Sequence, residues 1–193
     1  MKITKSEFIT SLKKYDKNFN KELKEVVFVG RSNVGKSSLL NAICNKKNLA
    51  KTSSTPGRTR LINYFKINDN FYIVDLPGYG YASGNQKEVD DWGKDLEYFF
   101  ENNENIAVVL VLLDIRHLPS KKDEQMLSYL RMNNIDFEIV LTKADKLSKS
   151  QINKSVNDIC SFLQIDKSLL TYTSSEKKIN IENLLNKIEN YIS

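Results

Sequence analysis

Gly30-Arg31-Ser32-Asn33-Val34-Gly35-Lys36-Ser37 follows the apolar run Val26-Val27-Phe28-Val29 and opens onto Ser38-Leu39-Leu40-Asn41-Ala42-Ile43. The order is strand, glycine loop, helix, with the spacing G-x-x-x-x-G-K-S. Glycines let consecutive backbone N–H groups converge on an anion, and the N-terminus of the following helix adds positive potential. In such a loop Lys36 neutralises the outer phosphates and the Ser37 hydroxyl ligates Mg²⁺. The pattern is lax enough to occur by chance, but the flanking strand and helix argue for a nucleoside-triphosphate site.

Working outward, the next signal lies 45 positions downstream, where Asp75-Leu76-Pro77-Gly78 ends a β-rich segment. A carboxylate there can hold Mg²⁺ through water, and the Gly78 N–H can approach the γ-phosphate with no side chain in the way. Further on, Thr142-Lys143-Ala144-Asp145 follows another apolar segment. The Asp145 carboxylate can accept from guanine N1–H and the 2-amino group together, a pair adenine cannot offer, and the Lys143 stem can lie along the base. That favours GTP or GDP over ATP. Thr171-Tyr172-Thr173-Ser174-Ser175 completes the set, with backbone N–H groups suited to the guanine O6, although serine pairs mostly mark turns.

Between these motifs, apolar spacing predicts strands over 25–30, 61–67, 71–75, 106–113, 137–141 and 169–173. Helices are expected over 36–45, 86–102, from Pro119-Ser120, behind the Ser148–Gln151 capping box, and from Ile181 to the C-terminus. Asn68-Asp69-Asn70 reads as a hairpin turn, so the second of these strands runs antiparallel to the third. The result is a three-layer α/β fold, a six-stranded mostly parallel sheet with one antiparallel edge strand and helices on both faces. All four motifs then fall on one rim, at the carboxyl ends of the strands. In residues 1–24, Phe8, Leu12, Tyr15 and Phe19 follow a helical step without caps, and the stretch is expected to be a basic leader packed on a domain spanning 25–193.

Composition sets the bounds. The 193 residues suit one domain, and no apolar stretch reaches the roughly 20 residues of a membrane span. The N-terminus lacks the apolar core of a secretory signal. Cys44 and Cys160 have neither metal nor redox spacing and are expected in the core of a protein in a reducing cytosol. A net charge of +5 fits either a polyanionic partner, nucleic acid first, or a lysine-rich surface kept for solubility. His117, the only histidine, has no catalytic partners arranged around it and is assigned to loop structure.

Together, G-R-S-N-V-G-K-S (30–37), Thr55-Pro-Gly-Arg-Thr59, Asp75-Leu-Pro-Gly-Tyr-Gly-Tyr-Ala82 and Thr142-Lys-Ala-Asp145 closely resemble the EngB (YihA/YsxC) family of ribosome-biogenesis GTP-binding proteins, within the TrmE-Era-EngA-EngB-septin-like superfamily. The resemblance runs from about residue 25 to the C-terminus. It implies a P-loop G domain, GTPase activity, Mg²⁺, and a nucleotide switch on the large ribosomal subunit, contacting rRNA or ribosomal proteins. It also implies a cytoplasmic monomer needed for normal cell division and septation. By the same resemblance Thr59 joins Ser37 on Mg²⁺, and Gly57, Arg58, Arg60 and Leu61 line the nucleotide with Ser38. Thr142 replaces the asparagine usual in GTPases, which is expected to loosen the tie between base loop and phosphate loop.

Tyr79 stands where Ras-like GTPases place the glutamine that orients water, so slow intrinsic hydrolysis is expected. Three readings of what completes the machinery stay open. Asn33 holds a monovalent cation such as K⁺, or only shapes the loop. Arg58 or Arg60 stabilises charge in cis, or contacts a partner's phosphates. The bound partner orders the switch residues. Tyr79, Tyr81 and Trp92 offer stacking to RNA or packing to a ribosomal protein, with burial as the alternative. Two rival functions remain. One is a division-associated interaction protein in which GTP is structural. The other is a P-loop ATPase or kinase, disfavoured by Asp145 and by the lack of an Arg-rich lid.

Overall fold

The computed structural model describes residues 1–50, 61–79 and 86–193, with residues 86–92 described only as helix backbone. The elements are β1 (Ser6–Leu12), β2 (Lys24–Gly30), α1 (Lys36–Ile43), β3 (Ile62–Ile67), β4 (Phe71–Asp75), α2 (Gln86–Asn102), β5 (Ile106–Asp114), α3 (Lys121–Met132), β6 (Phe137–Thr142), α4 (Lys149–Leu163), β7 (Leu170–Tyr172) and α5 (Ile181–Ile192). The strands form one sheet in the order β1-β3-β4-β2-β5-β6-β7.

Alternation along the strands builds the three layers. In β2, Val27 and Val29 join a core with Phe99 of α2, Leu127 and Leu130 of α3, and Ile159 of α4. Val26 and Phe28 point the other way, to Leu39 and Leu40 of α1 and Leu184 and Ile188 of α5. β2, β5 and β6 are buried on both faces, which is why they read as unbroken apolar runs.

The sheet departs from expectation at one edge. Among the described residues it has seven strands, and β3, antiparallel to β4, is not the edge, because β1 pairs antiparallel outside it. The helical step from Phe8 to Phe19 is therefore not a helix. A bulge between Phe8 and Thr10 shifts the period-2 alternation by one position, so counting along β1 hides the strand. Past β1, Tyr15 is buried against Phe99, and Phe19 packs at a tilt on Tyr64 with ring centroids 4.6 Å apart. The hairpin turn is as predicted, with Asn68 and Asp69 both left-handed (φ 49° and 55°). Its Asn68 side chain accepts from the Thr4 and Lys5 N–H groups and donates to the Lys2 carbonyl, tying the N-terminal segment to the sheet.

Both cysteines are buried and unpaired, and burial pushes the Cys44 thiol up to about 11. No described helix is long and apolar enough to cross a membrane.

Candidate nucleotide site

The phosphate loop begins where β2 ends. Gly35, at φ 110°, turns the chain into α1, a conformation closed to other residues at little strain. It caps α1 with no side chain, and the first turn carries no carboxylate. No backbone carbonyl among the described residues takes the N–H groups of Asn33, Gly35, Lys36 or Ser37. Orphan donors at an uncapped helix start are what an anion needs. Val34 is turned inward, its N–H donating to the Arg31 carbonyl (3.2 Å) and its side chain buried. Ser37 and Ser38 follow Lys36 in the first turn of α1.

Asp75 closes β4, in parallel register with Phe28, two residues before the loop. Burial pushes its carboxyl above the usual range, against the pull of Lys36 and the Asn63 amide. Its Oδ1 is buried and makes no hydrogen bond. A buried carboxylate oxygen without a donor is costly unless a cation meets it. That orphan, within the electrostatic reach of Lys36 in the phosphate loop, fits a divalent cation. After Asp75, Leu76 is buried with its N–H on the Phe28 carbonyl (3.1 Å), and Pro77 is half-buried. Gly78 then comes so close to the phosphate loop that a Cβ would lie 2.9 Å from the Ser32 nitrogen. Tyr79 bonds the loop on both sides, its N–H to the Gly30 carbonyl (3.2 Å) and its C=O from the Ser32 N–H (3.3 Å), bridging Arg31.

The Tyr79 ring joins the core. It is buried, and its hydroxyl donates to Asp123 Oδ1 at 2.9 Å. Burial, together with the charge of Asp123, pushes that hydroxyl well above the ordinary tyrosine range.

The base loop follows β6. Lys143 adopts a left-handed conformation (φ 63°) and leads into a 3₁₀ turn, Ala144–Lys146. The Ala144 N–H donates to the Thr173 carbonyl (3.0 Å), joining this loop to the Thr173-Ser174-Ser175 segment after β7. The Ser174 hydroxyl, 2.6 Å from Asp145 Oδ1, holds Asp145 below the usual carboxylate range, and Lys146 at 2.9 Å adds to the effect. An ionised carboxylate, its side chain only 5% exposed, is the acceptor that guanine requires.

Two bonds fasten the base loop to the phosphate loop. Thr142 Oγ1 donates to the Val34 carbonyl at 2.6 Å, and Lys143 Nζ donates to the Asn33 carbonyl at 2.9 Å. Thr142, in place of asparagine, thus ties the base loop to the phosphate loop through its own hydroxyl. Lys143 is oriented in turn by Asp114 Oδ2, 2.9 Å away at the end of β5. Burial alone would raise Asp114, but hydrogen bonds from Arg116 and Lys143 hold it below the usual carboxylate range.

Leu61, half-buried, lies just before β3. Gly57, Arg58, Thr59 and Arg60 lie outside the described residues, as do Tyr81 and the Trp92 side chain. His117 sits exposed in the turn after β5, its N–H on the Asp114 carbonyl (3.1 Å). No group of three or more His, Cys, Asp or Glu side chains among the described residues is arranged to hold a metal.

A family model described as "50S ribosome-binding GTPase" matches residues 25–143. A "Probable GTP-binding protein EngB" of Thermoanaerobacter pseudethanolicus is 42% identical over 191 residues, spanning 99% of this chain and 100% of that one. One of the same name from Clostridium beijerinckii is 45% identical over 179 residues, spanning 92% of this chain and 90% of the other. The chain belongs to the EngB family of GTP-binding proteins. The crystal structure of a probable GTP-binding protein engB superposes with a TM-score of 0.71 at 26% identity, covering 87% of this chain and 98% of that one. The EngB-family chain is therefore a three-layer α/β P-loop GTPase.

Two residues of this EngB-family site escape a motif reading. Asp114 orients Lys143, and its place at the rim end of the central strand was the available signal. Asp123 engages Tyr79 from 44 positions away, for which the sequence carries no local sign.

Proposed function

We propose that this EngB-family protein is a slow, guanine-specific switch that binds the maturing large ribosomal subunit in its GTP form and leaves after hydrolysis, acting in the cytoplasm in support of cell division and septation. The reading of the site is carried by one observation, the double fastening of the base loop to the phosphate loop through Thr142–Val34 and Lys143–Asn33. Base and phosphates are thereby presented to one another as a unit. Asp145, with backbone from Thr173, Ser174 and Ser175, takes the guanine. The loop Gly30–Ser38 takes the phosphates, with Gly57–Leu61 and Asp75–Gly78 lining the γ side. Ser37, Thr59 and Asp75 (through water) would hold Mg²⁺, which supplies charge neutralisation on the phosphates when bound.

In hydrolysis, water attacks the γ-phosphorus and the bond to the β–γ bridging oxygen breaks, giving GDP and phosphate. Lys36 and the Gly78 N–H stabilise the charge that develops. The Tyr79 hydroxyl is committed to Asp123, which supports a low intrinsic rate. Asn33, exposed at the outer turn of the loop, is the candidate ligand for K⁺, and turnover compared in KCl and NaCl tests it. Equal rates count against that role. The +5 charge supports rRNA as part of the docking surface, and a monomer is the expected form.

Sedimentation with purified large subunits tests the whole reading. Binding with a non-hydrolysable GTP analogue and release with GDP are expected. Binding that ignores the nucleotide would sink it.

A further inference from the structure

Most of the phosphate loop is open to an anion, but the Ser32 N–H is not. It donates to the Tyr79 carbonyl, and Gly78 lies over it at a distance no side chain would allow. The contact is on the γ side, because Gly78 is the residue whose N–H serves the γ-phosphate. A diphosphate held by the N–H groups from Asn33 to Ser37 leaves this contact alone, whereas a third phosphate competes with it. What anchors the segment is the side chain of the next residue. Tyr79 is 5% exposed and bonded to Asp123, itself 3% exposed. Asp123 is also the N3 residue of α3, where its Oδ2 accepts from the Ser120 N–H (2.8 Å) and hydroxyl (2.7 Å). One carboxylate thus caps a helix with one oxygen and holds the γ-side loop with the other.

We propose that Tyr79 and Asp123 form a latch that closes Gly78–Tyr79 over the Ser32 N–H, biases the empty site towards GDP, and reports a bound triphosphate to the N-terminus of α3. This rests on the guanine-nucleotide reading above. Binding of the third phosphate breaks the Ser32–Tyr79 bond, draws the Tyr79 hydroxyl off Asp123 and frees half of the carboxylate that caps α3. A ligand shifts such an equilibrium only by its differential affinity for the two states, so the latch sets the GTP-to-GDP affinity ratio.

The test titrates wild type and Tyr79→Phe with fluorescent GDP and a fluorescent non-hydrolysable GTP analogue, both with Mg²⁺. Phenylalanine keeps the buried ring and leaves Asp123 Oδ1 without a donor in the closed form only. GDP affinity is expected to stay within about twofold, while the analogue binds on the order of tenfold tighter, as loss of one hydrogen bond to a carboxylate implies. An unchanged ratio overturns the latch while leaving the site reading intact. Failure of wild type to bind either nucleotide overturns both. In wild type, amide exchange over Ser120–Glu124 is expected to quicken with the analogue and not with GDP. Equal protection in the two states also overturns the proposal.

Discussion

Replacing Thr142 by valine keeps the volume and removes the hydroxyl that reaches the Val34 carbonyl at 2.6 Å and the Leu113 carbonyl at 3.2 Å. Leaving such buried acceptors unmet costs about 1–3 kcal/mol, and the phosphate loop loses its support from β6. Thr142→Val is expected to weaken GDP binding on the order of tenfold and to lower the urea midpoint; GDP affinity equal to wild type would show that the tie does not serve the nucleotide. Asp145→Asn acts on the other end. It removes the acceptor for guanine N1–H, so GTP affinity is expected to fall while xanthine nucleotides gain, read by parallel titrations of both. Unchanged GTP affinity would refute the base-pocket assignment. These two residues differ in how far a sequence reading reaches. The role of Asp145 is carried by its immediate neighbours and by the side-chain chemistry of guanine recognition. That of Thr142 depends on a carbonyl 108 positions away, and the threonine hydroxyl does not announce its acceptor. Tyr79 is ambiguous for a related reason, since an aromatic ring after a glycine suits a surface or a core equally.

At the level of elements, β2 carries a buried carboxyl at its second residue. Glu25 is fully buried, with Asn20 Nδ2 donating to one carboxylate oxygen (2.6 Å) and Asn103 Nδ2 to the other (2.7 Å). Burial nevertheless raises its carboxyl above the ordinary 4.5. The native state then holds a proton that the unfolded chain has released, so stability falls as pH rises from about 4.5 through the raised native value. Wild-type stability measured against Glu25→Gln, from urea unfolding, is expected to fall as pH rises through that window. A gap constant with pH would contradict the shift. The cluster also binds the segment before β2 to the loop before β5, which is why residues 13–24 are part of the domain's packing. Helices were the legible elements, because the Ser148–Gln151 box and the apolar stripe of α5 are local signals. β1 was not, because its bulge erases the periodicity by which a strand is recognised and its partner, β3, lies some fifty residues on.

On the proposed reading the ligand would touch both halves of the sheet. Phosphates would meet the loop after β2 and the guanine the loops after β6 and β7, and these loops lie on either side of β5. Unfolding must therefore release the nucleotide as one event. At GDP concentrations about a hundred times Kd, the gain is about 2.7 kcal/mol. For a chain of this length that corresponds to a rise in melting temperature of roughly 5–10 °C, with ATP giving none. An equal shift with both nucleotides would contradict guanine selectivity. The rim that gathers the motifs was legible from the alternation of strands and helices, whereas the position of β3 inside the sheet was not, because only the unseen β1 distinguishes it from an edge. The Val34–Thr142 bond carries a further consequence for a chain made from its N-terminus. The phosphate loop is synthesised early, yet the Thr142 hydroxyl that anchors its Val34 carbonyl arrives 108 residues later, and β2 waits for β4 and β5 before it has neighbours. Closing such distant contacts is the slow part of folding a parallel sheet. A growing chain carries the phosphate signature long before it can grip a nucleotide, so guanine binding waits until the loops after β6 and β7 have been made and have folded into place.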